Sequence, residues 1–226
     1  MIIAIDGPSG AGKSTLGRLL ARELGLLYID TGAMYRAAAL AVIVAGVSTA
    51  DESAVARVVH GSDINLAGDP DSLQVMLGGR DVSREIRTEE VSHTASVISA
   101  IPEVRRTLVA RQREMGERAG GVVLDGRDIG TVVFPGADVK FFLTAAPEER
   151  AHRRYEEDRM KERDATFEET LIEINTRDRR DTTREDSPLT AAPDAVVIDS
   201  TELSIEGVFE RMMQVVRERE GETRGR

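Results

Sequence analysis

The chain has 226 residues, of which 41% are hydrophobic and 31% charged, and this composition is ordinary for a folded globular protein. Its 30 basic and 40 acidic side chains give a formal net charge of −10, which disfavours broad contact with nucleic acid or an anionic membrane surface. The absence of cysteine excludes disulfides and thiolate catalysis and fits a reducing compartment. No apolar stretch approaches the roughly 20 residues needed to cross a bilayer. We therefore expect a cytoplasmic protein that binds neither nucleic acid nor membrane.

Short apolar runs alternate with segments of helical spacing along most of the chain. The apolar runs predict five strands, at residues 2–6, 26–29, 121–124, 139–143 and 195–198. The segments of helical spacing predict four helices, at residues 15–24, 34–44, 101–118 and 204–217. This alternation indicates an α/β fold of three layers, with a five-stranded parallel sheet between helices.

Aspartate lies at or just beyond the carboxyl end of four predicted strands, at positions 6, 30, 125 and 199. Ligands of open parallel sheets bind at that edge, so Asp6, Asp30, Asp125 and Asp199 are candidate site residues. Capping of the following helix is the alternative for each of them.

Two segments interrupt the alternation. Residues 62–83 are rich in glycine and aspartate and predict a small inserted antiparallel patch. Residues 148–185 are densely charged and can bury little apolar area, so we expect a solvated, mobile helical arm. The tail from residue 218 is expected to be frayed.

The first predicted strand leads directly into Gly7-Pro8-Ser9-Gly10-Ala11-Gly12-Lys13-Ser14, which matches G-x-x-x-x-G-K-[ST] in full. Glycines let backbone amides surround phosphate oxygens, and the following helix adds the partial positive charge of its N-terminus. We expect this loop, together with Thr15, to bind ATP, with Lys13 reaching the β- and γ-phosphates. Ser14 and Asp125 are the expected Mg²⁺ ligands, although a capping role for Asp125 stays open.

A phosphate-binding loop alone does not say what the nucleotide is used for. One class is a small-molecule phosphotransferase, and another is a nucleotide-dependent switch. A GTP switch needs an [NT]-K-x-D motif, which the sequence lacks. The charged arm and internal arginines supply a candidate lid and phosphate ligands, so the phosphotransferase is favoured.

Four segments resemble signatures of the bacterial cytidylate kinase family. They are residues 28–36 (YIDTGAMYR), 124–135 (LDGRDIGTVVFP), 149–154 (ERAHRR), and 177–181 (RDRRD) followed by 187–189 (SPL). The resemblance runs from residue 2 to about residue 215. It implies transfer of the γ-phosphate of ATP to CMP or dCMP with Mg²⁺, although kinases of AMP, UMP or thymidylate remain alternatives.

The resemblance also implies roles for individual residues. Acceptor phosphate contacts fall on Thr31, Arg36 and Arg127. Cytosine contacts fall on Ser96, Arg105 and Asp128, where a carboxylate suits the exocyclic amine of cytosine. Ribose contacts fall on Arg177, Asp181 and Arg184.

The remaining expectations concern catalysis and organisation. Direct in-line transfer would depend on Lys13, Arg127, Asp128, Arg153 and Arg154, although charge runs such as the one holding the last two are usually solvated surfaces. The implied division is a core at 1–61, 100–147 and 186–226, a monophosphate-binding insert at 62–99, and a lid arm at 148–185. We expect a monomer.

Overall fold

The computed structural model of the chain describes residues 1–160 and 165–224. Residues 161–164 of the predicted charged arm lie outside the described part. Within the described residues the chain forms eight strands: β1 (Ile2–Asp6), β2 (Leu27–Asp30), β3 (Ile64–Ala67), β4 (Gln74–Leu77), β5 (Arg80–Asp81), β6 (Val122–Gly126), β7 (Val139–Thr144) and β8 (Val196–Asp199). The same residues form eight α-helices: α1 (Lys13–Leu24), α2 (Thr31–Val44), α3 (Glu52–Gly61), α4 (Glu89–Ile98), α5 (Pro102–Arg118), α6 (Pro147–Met160), α7 (Phe167–Thr183) and α8 (Ile205–Arg224).

The central sheet has five parallel strands in the order β2-β6-β1-β7-β8, as the sequence predicts. Residues of β1 alternate between the two faces: Ala4 packs on one side, and Ile3 and Ile5 pack on the other. Because helices cover both faces, such strands are almost continuously apolar. Register places Asp30 of β2 opposite Asp125 of β6, so two strand-end aspartates meet at one edge.

Helices form a layer on each face of the sheet. The helices α1 and α8 pack on one face, with Leu16, Leu20, Met212 and Val216 fully buried there. The helices α2, α3 and α5 pack on the other face around a larger apolar cluster. This arrangement is the predicted three-layer α/β/α fold.

The segment 62–99, here called the insert, forms the predicted antiparallel sheet β3-β4-β5 and the helix α4. Its apolar side chains do not form a separate core. Ile64, Val82, Ile86 and Ile98 belong to the same buried cluster as helices α2 and α5. The insert is therefore continuous with the body of the protein.

Helices α6 and α7, here called the lid hairpin, form the helical arm that the charge pattern predicts. Thr166 and Glu169 form a reciprocal capping box that begins α7. The hairpin buries few side chains, among them Ala151 and Ile174, and leaves Ile172 exposed.

Several boundaries differ from the sequence predictions, most of them by one or two residues. Helices α1 and α2 both begin earlier than expected. Helix α1 begins at Lys13, directly after Gly12 in a left-handed conformation. Helix α2 begins at Thr31, because the side chain of the preceding Asp30 accepts from the amide of Ala33 and so caps the helix. Helices α3 and α4 were not predicted.

The last helix reaches Arg224, so residues 218–224 are helical and the expectation of a frayed tail is wrong for them. Good helix formers such as glutamate and arginine allow this extension. In the described part of the chain, no helix is both long and apolar enough to cross a membrane.

We expect Ile98→Ala, in the insert, to lower the free energy of unfolding of the whole protein by about 2–5 kcal/mol, because it leaves a cavity in the shared core. Ile172→Ala, on the exposed surface of α7, is the matched control and should change it by less than about 0.5 kcal/mol. Urea denaturation followed by circular dichroism measures both. Separate unfolding of the insert at low urea would contradict the shared core.

Candidate active site

A cleft of about 630 Å³ opens at the carboxyl edge of the central sheet. The loop between β1 and α1 forms one end. Gly10 and Gly12 have φ of 78° and 89°, a left-handed conformation that favours glycine. The loop therefore turns sharply into α1, whose N-terminus lies at the cleft and favours an anion there.

Lys13 is the first residue of α1 and is 6% exposed. Its Nζ donates to the carbonyl of Pro8 at 2.6 Å. Burial, and then the nearby Arg127 cation, lower the pKa of Lys13 to about 7. An ammonium has three donors, so the bond to Pro8 leaves donors for an incoming phosphate.

Asp125 joins four elements at the floor of the cleft. Its carboxylate accepts hydrogen bonds from Ser14 Oγ and Tyr28 OH, both at 2.8 Å, and its carbonyl accepts from Thr31 Oγ1 at 2.7 Å. Burial, and then the neighbouring Asp30 carboxylate, raise the pKa of Asp125 to about 6. The adjacent oxygens of Ser14 and Asp125 are of the type that Mg²⁺ prefers, so these residues fit the expected metal site.

The middle of the cleft presents guanidinium groups paired with carboxylates. Arg36 Nη2 lies 3.2 Å from Asp30 Oδ2, and Arg127 Nε donates to Asp181 Oδ2 at 2.7 Å. Burial would raise the pKa of Asp181, but Arg127 and Arg184 lower it below its usual value. These arginines offer two cationic forks close to Thr31, which suits a phosphate dianion.

The far end of the cleft holds a buried cluster of polar side chains around Asp128, several atoms of which lack a hydrogen bond within the described part of the chain. Arg105 Nη2 donates to Asp128, and Arg184 Nη2 lies 3.9 Å from the other oxygen of Asp128. Among the described residues, the buried atoms Tyr35 OH, Arg105 Nε and Arg184 Nη2 have no hydrogen-bond partner. Burial raises the pKa of Tyr35 to about 12, so its hydroxyl is neutral and can donate. Because orphaned buried polar atoms are rare, their concentration here indicates a polar ligand.

Contacts from the lid hairpin close one side of the cleft. Arg177 Nη2 donates to the carbonyl of Ser92 at 3.4 Å, and Arg180 Nη1 donates to Ser96 Oγ at 2.5 Å. Both acceptors lie on α4 of the insert. The hydroxyl of Ser96, expected to face cytosine, is therefore engaged by the lid in this structure.

Arg150, 3% exposed, fastens the lid hairpin to the phosphate loop. Its guanidinium donates to the carbonyls of Ala145 and Ser9 at 2.9 and 3.0 Å and to Asp178 Oδ2 at 2.6 Å. It thus links α6, α7 and the loop, a role that the sequence analysis did not assign.

Asp6 ends β1 beneath the cleft and is 3% exposed. Its two carboxylate oxygens accept from the amides of Ile129 and Gly130, each at 2.7 Å. Burial raises the pKa of Asp6 to about 6, although the hydrogen bonds from the amides of Gly130 and Ile129 act in the opposite direction. Of the other strand-end aspartates, Asp30 caps α2 and also lines the cleft.

The structure brings nearly all of the predicted site residues to this one cleft. The predicted residues that line it are Ser9, Gly10, Gly12, Lys13, Ser14, Thr15, Thr31, Arg36, Ser96, Arg105, Asp125, Arg127, Asp128, Arg153, Arg154, Arg177, Asp181 and Arg184. Arg153 is also bonded to Glu149 and to Ser200, and Arg154 pairs with Asp158.

Five predicted residues are not among the residues that line the cleft: Asp6, described above, and Gly7, Pro8, Ala11 and Asp199. Gly7 lies against the backbone of Leu143, Pro8 offers its carbonyl to Lys13, and Ala11 is buried in the apolar core. One side of the loop faces the sheet and the other side faces the cleft, and the sequence motif does not show which residues lie on which side. Asp199 turns away and accepts from Thr201.

Several residues that line the cleft were missed by the sequence analysis. Tyr35 lies four residues after Thr31 on α2 and thus on the same helical face, and this spacing is the signal that could have found it. Leu203, Ser204 and Ile205, which follow β8, gave no such signal because their position depends on tertiary packing.

A glycine-rich phosphate loop at the carboxyl edge of a parallel sheet shares one cleft with an arginine-rich pocket and a helical lid. This combination defines a P-loop phosphotransferase.

Comparisons with known proteins identify the family. A family model for cytidylate kinase matches residues 3–218. The cytidylate kinase of Geobacter sp. (strain M21) is 53% identical over 219 residues, which cover 97% of this chain and 94% of the relative. The cytidylate kinase of Rhodococcus opacus (strain B4) is 48% identical over 221 residues, covering 98% and 96%. The chain belongs to the cytidylate kinase family and is an ATP-dependent phosphotransferase.

One solved structure supports the fold alone. An uncharacterized protein from Eubacterium ventriosum ATCC 27560 superposes with a TM-score of 0.52 at 10% identity, covering 96% of this chain and 98% of that one.

We expect Asp6→Asn to change how stability depends on pH. Because the pKa of Asp6 rises from its ordinary 3.8 to about 6 on folding, the folded protein binds this proton more tightly than the unfolded chain. The stability of the unaltered protein relative to the variant therefore falls as the pH rises from about 4 to about 6, by up to about 3 kcal/mol. Urea unfolding of both proteins across this interval measures the difference. The prediction would be contradicted if the stability of the unaltered protein relative to the variant rose with pH over this interval.

Proposed function

We propose that the protein transfers the γ-phosphate of ATP to CMP or dCMP and releases ADP and CDP or dCDP. The observation that carries this proposal is the group of buried donors around the Arg105–Asp128 pair that have no hydrogen-bond partner among the described residues, in the same cleft as the phosphate loop. The resemblance of the whole chain to cytidylate kinases supports it.

The loop end of the cleft suits the donor nucleotide. Ser9, Gly10, Gly12 and Thr15 border it, and Lys13 supplies a buried cation. Leu203 and Ile205 border the same end and offer apolar surface to the base of the donor. Ser14 and Asp125 would hold Mg²⁺, which when bound offsets the negative charge of the triphosphate.

The middle of the cleft suits the acceptor phosphate and its sugar. Thr31, Arg36 and Arg127 surround a space for the monophosphate, and charge-assisted bonds from two arginines would hold it as a dianion. The ribose would contact the three polar residues contributed by the lid hairpin and its exit, which are Arg177, Asp181 and Arg184.

The far end suits cytosine by donor and acceptor matching. The Asp128 carboxylate can accept from the exocyclic amine, and Arg105 Nε is a free donor for the ring nitrogen or carbonyl. Ser96 would take part after its bond to Arg180 is exchanged. Uracil would place an acceptor opposite Asp128 and leave both groups unpaired in a buried site, which disfavours it strongly.

Direct transfer needs no protein nucleophile. A phosphate oxygen of the acceptor attacks the γ-phosphorus, and the bond from that phosphorus to the β,γ-bridging oxygen breaks to release ADP. Lys13, Arg127, Arg153 and Arg154 would stabilise the charge of the transferring group, and Asp128 would help to align the acceptor. The lid hairpin would exclude water and so limit hydrolysis of ATP.

The domain bounds, the oligomeric state and the location in the cell are parts of the same proposal. We propose a core at 1–61, 100–147 and 186–226, the insert at 62–99 and a lid at 148–185. We also propose a cytoplasmic monomer. The large apolar side chains that are most exposed in the described part, such as Val44, Ile172 and Val197, lie on separate elements, which supports the monomer.

A coupled assay of ADP release with CMP, dCMP, UMP, AMP and dTMP tests the proposal. We expect fast release that requires an acceptor and is greatest with CMP or dCMP. Slow release that is indifferent to the acceptor would instead indicate a nucleotide-dependent switch.

We expect Lys13→Ala to reduce kcat with CMP by about a thousandfold or more, because the buried cation that faces the transferring phosphate is lost. CMP binding, measured by calorimetry, should change little, since Lys13 lies at the donor end. An unchanged kcat, or an equal loss of CMP affinity, would contradict the assignment.

We expect Asp128→Asn to lower kcat/KM for CMP by about tenfold to a hundredfold and to raise activity with UMP relative to CMP. An amide keeps the shape of the side chain but can donate to the uracil carbonyl, whereas a carboxylate cannot. Asp199→Asn, at the end of β8 outside the cleft, is the matched control. Unchanged base preference in Asp128→Asn would remove the assignment of this residue.

A further inference from the structure

The residues assigned to the acceptor base and phosphate are followed at once by an unusual backbone element. Residues Ile129–Val133 form a single π-helical turn that begins directly after Asp128. The wide turn is closed by bonds from Val133 N to the Asp128 carbonyl at 3.1 Å and from Phe134 N to the Ile129 carbonyl at 2.7 Å. Such turns are rare and less regular than α-helix, so their geometry depends on what surrounds them.

A buried carboxylate holds the first residues of this turn. Asp6 accepts from two consecutive amides, those of Ile129 and Gly130, at 2.7 Å each. Gly130 is packed closely, because a Cβ there would lie 3.0 Å from Lys140 Cδ and 3.4 Å from Asp6 Oδ2. The peptide that follows Asp128 is thereby fixed to the end of β1.

A guanidinium holds the last residues of the turn. Arg113 on α5 donates from Nε to the carbonyl of Val133 at 2.9 Å and from Nη2 to that of Val132 at 2.7 Å. The same helix carries Arg105, which pairs with the Asp128 side chain. Arg105 and Arg113 are about two helical turns apart, so one face of α5 holds both Asp128 and the far end of the turn.

We propose that Asp6 and Arg113 are positioning residues for base recognition. Neither lines the cleft, and each acts through the π-helical turn to fix the backbone from which the side chains of Arg127 and Asp128 project. This inference rests on the proposed function, because it assigns to the turn the placement of the carboxylate that reads cytosine. A shift of about 1 Å in such a group is enough to weaken a matched hydrogen bond severely.

The test compares Asp6→Asn and Arg113→Gln with two matched controls. Asp138→Asn removes a carboxylate that accepts from Ile2 N at the opposite end of β1. Arg118→Gln removes an exposed arginine from the last turn of α5. The measurements, at about pH 8, are KM and kcat for CMP and UMP, KM for ATP, and the Kd for CMP by calorimetry.

We expect both positioning variants to raise KM and Kd for CMP about tenfold, and to lower the preference for CMP over UMP by a similar factor. KM for ATP should stay within about twofold in Arg113→Gln, because Arg113 bonds to the far end of the turn and not to the phosphate loop. The controls should match the unaltered protein. Arg113→Lys keeps one donor to the carbonyls and should restore part of the CMP affinity.

A purely structural role gives a different result. If Asp6→Asn and Arg113→Gln lower the unfolding temperature but leave the Kd for CMP and the base preference unchanged, the inference is overturned. The same holds if KM for ATP and KM for CMP rise together in Arg113→Gln. If the unaltered protein binds CMP without phosphorylating it, the proposed function fails and the Kd values still decide the inference. An unaltered protein that does not bind CMP overturns both.

Discussion

The cleft depends on the buried residue Asp125, which links α1, β2 and α2 at the cleft floor. The side chain accepts from Ser14 at the start of α1 and from Tyr28 on β2, and the carbonyl accepts from Thr31 at the start of α2. Two helix N-termini are thereby held against the same strand end. The cost of burying the carboxylate appears in its raised pKa, and the two hydroxyl donors, Ser14 and Tyr28, compensate for part of that cost.

Much of this arrangement could be predicted from the sequence, because the signals are local. The loop before Lys13 has a fixed spacing, and parallel strands bring their carboxyl ends to one edge, so Asp30 and Asp125 had to meet. The family resemblance extended this to Arg105 and Arg184, residues that periodicity alone gave no reason to select. All of them line the cleft.

What could not be predicted follows from tertiary contacts between distant segments. Arg150 resembles any arginine of a charged helix, and only the folded chain brings it to the carbonyl of Ser9. Asp6 was a candidate ligand by position, yet the turn after Asp128 takes both of its oxygens. Ala11 belongs to the loop motif but faces the apolar core. Asp199 lies at a strand end but accepts from Thr201 in a local turn.

The insert and the body of the protein share one apolar core, so the insert side of the cleft is harder to move than the side formed by the lid hairpin. Moving the insert outward would expose side chains such as Ile86 and Ile98 to water, with a large hydrophobic penalty. The opposite wall meets the insert through polar contacts of Arg177 and Arg180, which water can replace at little net cost. Any movement that opens the cleft is therefore expected at the α6–α7 hairpin and not at the insert.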